Sequence, residues 1–226
     1  MIKTLTLAVV LMTSIALFAQ EKKDVTKFLG IPIDGYKSEM ISKLKAKGFT
    51  STSHDKNVLE GEFNGKDVEL HVVTNNNKVY RIMVADKNYV SETSIRIRFN
   101  NLLNQFENNS NYFGRNEHIS EDEDLGYNIT VKDKRYQAIF YQVPEASDSI
   151  AIQKELESVL EKKYGVKKVE DLSEEKQNEA REYLGKYNVY RLFGKTVWFM
   201  ISEYYGKYYI SMFYDNELNK ANGEDL

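Results

Sequence analysis

The chain has 226 residues, no cysteine, two prolines and a formal net charge of −3, which excludes disulfides, thiolate nucleophiles and cysteine-ligated metals. A mildly acidic balance with no dominant basic block argues against a nucleic-acid partner. The length fits one large domain or two small ones, and Pro32 and Pro144 supply no proline-rich linker between them.

The opening MIKTLTLAVVLMTSIALFAQ sets Lys3 ahead of an apolar run from Leu5 to Phe18. That run is shorter than the ~20 apolar residues a spanning helix needs. Residues 1–19 therefore read as a cleavable signal peptide with Ala19 at the −1 site, although Leu17 departs from the small-x-small pattern. There is no cysteine for a lipid anchor, and nothing later is apolar enough to span a bilayer. The expectation is an exported chain, in the periplasm or outside the cell, with no membrane attachment after cleavage.

Residues 36–47 predict a short helix with Met40, Ile41 and Leu44 on one face and Gly48 as its stop. VLEGEF and KDVELHVV flank Asn64-Gly65, a strong hairpin signal. Pairing across it puts Leu59, Phe63, Val68, Leu70 and Val72 on one face and Glu60, Glu62, Glu69 and His71 on the other. A third strand, KVYRIMVAD, brings Tyr80, Ile82 and Val84 to the apolar face if Asn75-Asn76-Asn77 forms a three-residue loop with a left-handed Asn or a bulge.

A helix over 92–106 follows, with Ser91 as its cap and Ile95, Phe99, Leu102, Leu103 and Phe106 at helical spacing. Residues 107–125 are polar and irregular. A second hairpin is expected from GYNITVK and RYQAIFYQV around Asp133-Lys134, ended by Pro144. Residues 149–163 predict a helix with Ile152, Leu156, Val159 and Leu160 inward and Gly165 as its stop. A more polar helix spans 174–184, capped by Ser173. NVYRLF, TVWFMISEY and YYISMFYD make a last meander, and the polar tail NELNKANGEDL is expected to fray.

Most successive strands are joined by tight turns, so parallel crossovers are not supported. The fold class is α+β: antiparallel meander sheets packed against helices, with helix-then-meander at both ends pointing to two related units. Residues 20–90 form the first, a helix plus three-stranded meander. Residues 91–226 carry the helices, the central hairpin and the C-terminal aromatic meander.

FLGIPIDGYKSEMISKLKAKGF, the meander after it and the C-terminal VWFMISEYYGKYYISMFYDNELNKANGEDL resemble uncharacterised exported proteins of Bacteroides-type Gram-negative bacteria. That resemblance implies export and no particular activity. Gly35, Ser38, Leu44 and the Gly48-Phe49 pair also resemble, at the level of fold, the β-lactamase-inhibitor-protein-like architecture, which implies a short helical segment on an antiparallel sheet.

The three histidines, His54, His71 and His118, have no metal-motif spacing. His71 falls near Glu60 or Glu69, as a salt bridge or as a base or ligand. Glu121-Asp122-Glu123-Asp124 offers oxygens for calcium, but Gly126 lies at the fifth position from Asp122 and breaks the EF-hand order. Asp215, Glu217, Asn219 and Gly223 fail the same test. No nucleophile elbow, P-loop or dinucleotide fingerprint occurs. No catalytic residue, metal or cofactor is assigned.

The aromatic end is more informative. A two-residue turn near Gly206 puts Val197, Phe199, Ile201, Ile210 and Met212 on one face. Trp198, Met200, Ser202, Tyr204, Tyr209, Ser211 and Phe213 share the other, a composition common at recognition surfaces. The competing reading, a helix layer covering this face as a second core, is favoured by the cost of exposing Trp198 and Phe213. The functional expectation is a non-enzymatic binding protein with a protein or glycan partner, its surface formed by Trp198, Met200, Tyr204, Tyr209 and Phe213. Its alternatives are an envelope assembly accessory that offers an edge strand and a hydrolase using carboxylates. Oligomeric state is left open.

Overall fold

Asn64 and Gly65, at φ +51° and +69°, form the two-residue turn their dipeptide predicts, pairing Phe63 with Lys66. In the computed structural model, which describes residues 24–145 and 149–220, this turn belongs to one large sheet. The expected signal peptide lies outside the described residues.

A two-stranded ribbon, β1 (Lys27–Phe28) and β2 (Ile31–Pro32), precedes α1 (Lys37–Ala46). Then come β3 (Thr50–Ser51), β4 (Val58–Phe63), β5 (Lys66–Asn75), β6 (Lys78–Asp86) and α2 (Glu92–Glu107). The second half runs β7 (Tyr112–Phe113), α3 (Leu125–Thr130), β8 (Gln137–Gln142), α4 (Ser149–Tyr164), α5 (Glu174–Phe193), β9 (Thr196–Tyr204) and β10 (Lys207–Asp215). Strand order is β3-β4-β5-β6-β10-β9-β8-β7, and every pairing is antiparallel. The architecture is α+β. A helix followed by a short edge strand and three longer ones occurs twice, and the two sets meet where β6 pairs with β10.

Register explains the core. Leu59, Leu70, Val84, Met212, Phe199 and Ala138 form one row across the sheet. Every one of them is buried against Met40 and Leu44 of α1 and Ile95, Phe99, Leu102, Leu103 and Phe106 of α2. Both helices thus lie on the same face. Ser91 caps α2, its hydroxyl accepting from the Ser94 amide.

Several local expectations need correction. The turn after β5 is two residues, Asn76 and Asn77, both left-handed, and a bulge beyond Val73 restores parity. Val79, not Tyr80, is therefore the buried residue beside it. The second hairpin does not form, because Leu125–Thr130 is helical. Asp124 accepts from the Tyr127 amide, Leu125 is buried, and β8 already has β7 and β9 on its two sides. Local capping wins over the strand preference of Ile129, Thr130 and Val131.

NVYRLF is the end of α5, not a strand. Ala180, Tyr183, Tyr187 and Tyr190 recur at helical spacing, and the Tyr187 hydroxyl donates to Glu155 of α4 at 2.6 Å. Helix α4 is shallower than its pattern predicts: Leu160 is buried, whereas Ile152, Leu156 and Val159 are half-buried. Nor does the start of the tail fray. Asn216 is buried and donates to the Ile33 carbonyl at 2.6 Å, and Asn219 donates to Asp34 and to the Val79 carbonyl. Residues 221–226 lie outside the described residues.

Candidate functional site

The row next to the core row points the other way. It runs Val58, His71, Met83, Phe213, Trp198, Ile139, one residue from each of six adjacent strands. Five inter-strand spacings make it about 24 Å long. Helices α1 and α2 cover the opposite face, and α5 meets the sheet at β8, where Phe193 packs edge-on against Tyr141 and Phe113. Among the described residues no complete second layer covers the row. Trp198, Met83 and Met200 are half-buried, Ile139 is 37% exposed and Phe213 9%.

Phe213 is shielded by its neighbours in the sheet. Its ring stacks on Trp198 with centroids 4.0 Å apart and planes at 17°. The Arg81 guanidinium lies 5.0 Å from the Phe213 centroid and 5.5 Å from that of Trp198, a cation–π clamp on both rings. Arg81 is itself held by a two-pronged pair with Asp215, Nε to Oδ1 at 2.6 Å and Nη2 to Oδ2 at 2.7 Å. Hydrogen bonding to Asp215 raises the Arg81 pKa further against the opposing effect of burial. The Trp198 indole donates to Asp215 Oδ2 at 3.0 Å, and the Thr26 hydroxyl donates to the Asp215 carbonyl. The indole therefore has a fixed pose.

A second aromatic group stands at the β9–β10 turn. Tyr89 lies 5.3 Å from both Tyr204 and Tyr209, and Tyr204 lies 4.6 Å from Tyr205, centroid to centroid. Tyr89 and Tyr204 are about half exposed, and Tyr205 is 87% exposed on a left-handed backbone at φ +49°. Ser202 and Ser211 share a hydrogen bond between the two aromatic groups. The face is thus aromatic over β8–β10 and charged over β4–β6, where Glu60 pairs with Lys87 at 2.6 Å.

Trp198, Met200, Tyr204, Tyr209 and Phe213 lie on the face their parity predicts. Arg81, Met83, Tyr89 and Ile139, which join them, were not singled out in the sequence. Strand parity puts Arg81 and Met83 on the outer face once Ile82 and Val84 are turned inward, and the β6–β10 pairing brings them to Phe213 and Trp198. Ile139 follows only from the β8–β9 register.

Of the other candidates, His54 is exposed, and the rest make local contacts. His71 Nε2 is 4.0 Å from Glu69 on its own strand, and His118 contacts Asn104 at 3.0 Å. Glu123 accepts from the Tyr136 hydroxyl at 2.5 Å, from Asn128 and from Lys134. The Lys134 and Tyr136 bonds hold its carboxyl below the usual range. Asp124 caps α3, and Arg96 binds the carbonyls of Glu121 and Glu123. Among the described residues no cluster of three His, Asp or Glu is arranged to hold a metal ion.

The sheet edges are also defended. β3 and β7 are two residues long, and the Asn116 side chain both donates to and accepts from the Ile139 backbone on the β8 edge. Comparison with known proteins yields no match: no family model fits the chain, and no curated protein or solved structure is detectably similar.

Proposed function

We propose that the protein is an exported, non-enzymatic binding protein that takes a protein partner on the open face of its sheet. The row from Val58 to Ile139, with the tyrosine group at its side, carries the reading. Aromatic rings already fixed by stacking and by Asp215 lose little conformational entropy on contact, and their polar tips suit a wet interface. A row about 24 Å long matches the reach of a protein surface patch better than that of one sugar ring. Export rests on the signal-like start, Lys3 followed by the apolar run from Leu5 to Phe18. Short edges and the Asn116 plug weigh against an accessory that works by strand addition.

The test is site-specific photocrosslinking in intact producing cells. Probes at Met200 and Ile139 should give one common adduct, and a probe at the exposed Lys43 on α1 should not. Met83→Glu should reduce that adduct at least about tenfold, with the melting temperature within about 3 °C of wild type. Equal adducts from Lys43, or no effect of Met83→Glu, would reject the reading. Adducts sensitive to glycosidase would move it to a glycan partner.

A further inference from the structure

On the helix-covered side, away from the open face, a cavity of about 390 Å³ opens between the β1–β2 turn, the β4–β5 turn and the C-terminal end of α2. Its apolar lining includes Phe63, Phe106, Met212 and Tyr214. The rings are fixed by their own packing: Phe63 and Tyr214 lie 5.1 and 4.9 Å from Phe28, and Phe106 meets Tyr112 edge-on at 4.8 Å.

The rim is polar where α2 meets the turn, with the amides of Asn64 and Gln105 and the exposed Glu62 in the lining. Asn64 Nδ2 donates to Gln105 Oε1 at 2.8 Å, which leaves the Asn64 oxygen and the Gln105 amide protons for another partner. Among the described residues no lysine, arginine or histidine lines the cavity, so no described side chain offsets the charge of an anion there. Leu29 also lines it, 39% exposed and left-handed at φ +51°, a conformation that is uncommon for a bulky side chain. Such strain persists where the surroundings or a contact hold it.

We propose that this cavity is a binding site for an uncharged one- or two-ring organic molecule bearing a hydrogen-bond donor. The volume lies in the range of small-molecule pockets and exceeds the ~150 Å³ that suffices for benzene in an apolar cavity. An apolar floor with a few amides at the mouth is the chemistry that selects a ring and orients its N–H or O–H.

Indole is the probe. With methyl-labelled methionine, the Met212 resonance should shift saturably with indole, half-saturating below about 1 mM. Indole-3-acetate, the same ring with a carboxylate, should bind at least about tenfold more weakly. Leu29→Gly suits the left-handed turn and keeps the fold while removing the lip. It should weaken indole at least about threefold. An unmoved Met212 resonance at about 10 mM indole overturns the proposal. So does equal affinity for indole-3-acetate, or wild-type binding by Leu29→Gly.

Discussion

Asp215 shows how one side chain can set a surface. Its carboxylate is nearly inaccessible, yet it takes two bonds from Arg81 and one from Trp198. Removing Arg81 would leave that charge buried with the indole as its remaining side-chain donor. Arg81→Met should therefore destabilise by about 3–5 kcal/mol, and Arg81→Met with Asp215→Asn should recover more than half of the loss. Urea unfolding of the two variants measures both. A small loss in the single variant would mean that water reaches Asp215 and that Trp198 is not pinned. At this scale the sequence was partly legible. Parity alone put Trp198, Tyr209 and Phe213 together, because they sit on strands joined by a two-residue turn. Arg81 could not be placed beside them, because that neighbourhood depends on β6 pairing with β10 across most of the chain.

Among elements, the two halves of the sheet differ most at one joint. β4 and β5 are linked by Asn64-Gly65, whereas the α4–α5 pair stands between β8 and β9. The strand ends at that joint remain neighbours: the Gln142 amide donates to the Lys195 carbonyl at 2.9 Å. Lys195, buried, is tied to Asp24 at 2.5 Å and to the Val143 carbonyl, so the joint is latched without either helix. Replacing residues 144–193 with Asn-Gly should thus preserve cooperative unfolding and the near-ultraviolet aromatic signal while lowering helix content. A molten, non-cooperative product would show that α4 and α5 hold the sheet. The helices that cover the core were legible because each carries a clean 3.6-residue stripe on a strong stop or cap, as at Gly48 and Ser91. The stretch from 125 to 135 was not, since its Tyr127, Ile129 and Val131 alternate like a strand while Asp124 supplies a helix cap. Likewise NVYRLF has strand composition, and only its phase with Ala180 and Tyr183 marks it as helix.

For the whole molecule, the phenols set a pH limit. Burial is the leading cause that raises the pKa of Tyr136, Tyr187, Tyr190, Tyr208 and Tyr214 above the ordinary 10.0. The unfolded chain then loses those protons before the native one does. Stability they contribute is intact below about pH 10 and falls as pH climbs through the folded values. The urea midpoint should drop between about pH 9 and pH 11, with the share of tyrosinate absorbance that belongs to these five appearing only as the protein unfolds, and Tyr214→Phe should lessen the drop. A constant midpoint would mean the phenolates form without unfolding. The strand order carries a consequence in time as well. β10 is the last strand to be synthesised and yet sits at the centre of the sheet, with Ser211 between Ala85 and Met200. The nascent first half can form its own meander early, but the two halves have no shared core until the final strand emerges. On the export route proposed above, a chain threaded through a membrane would complete its shared core only when this last strand arrives.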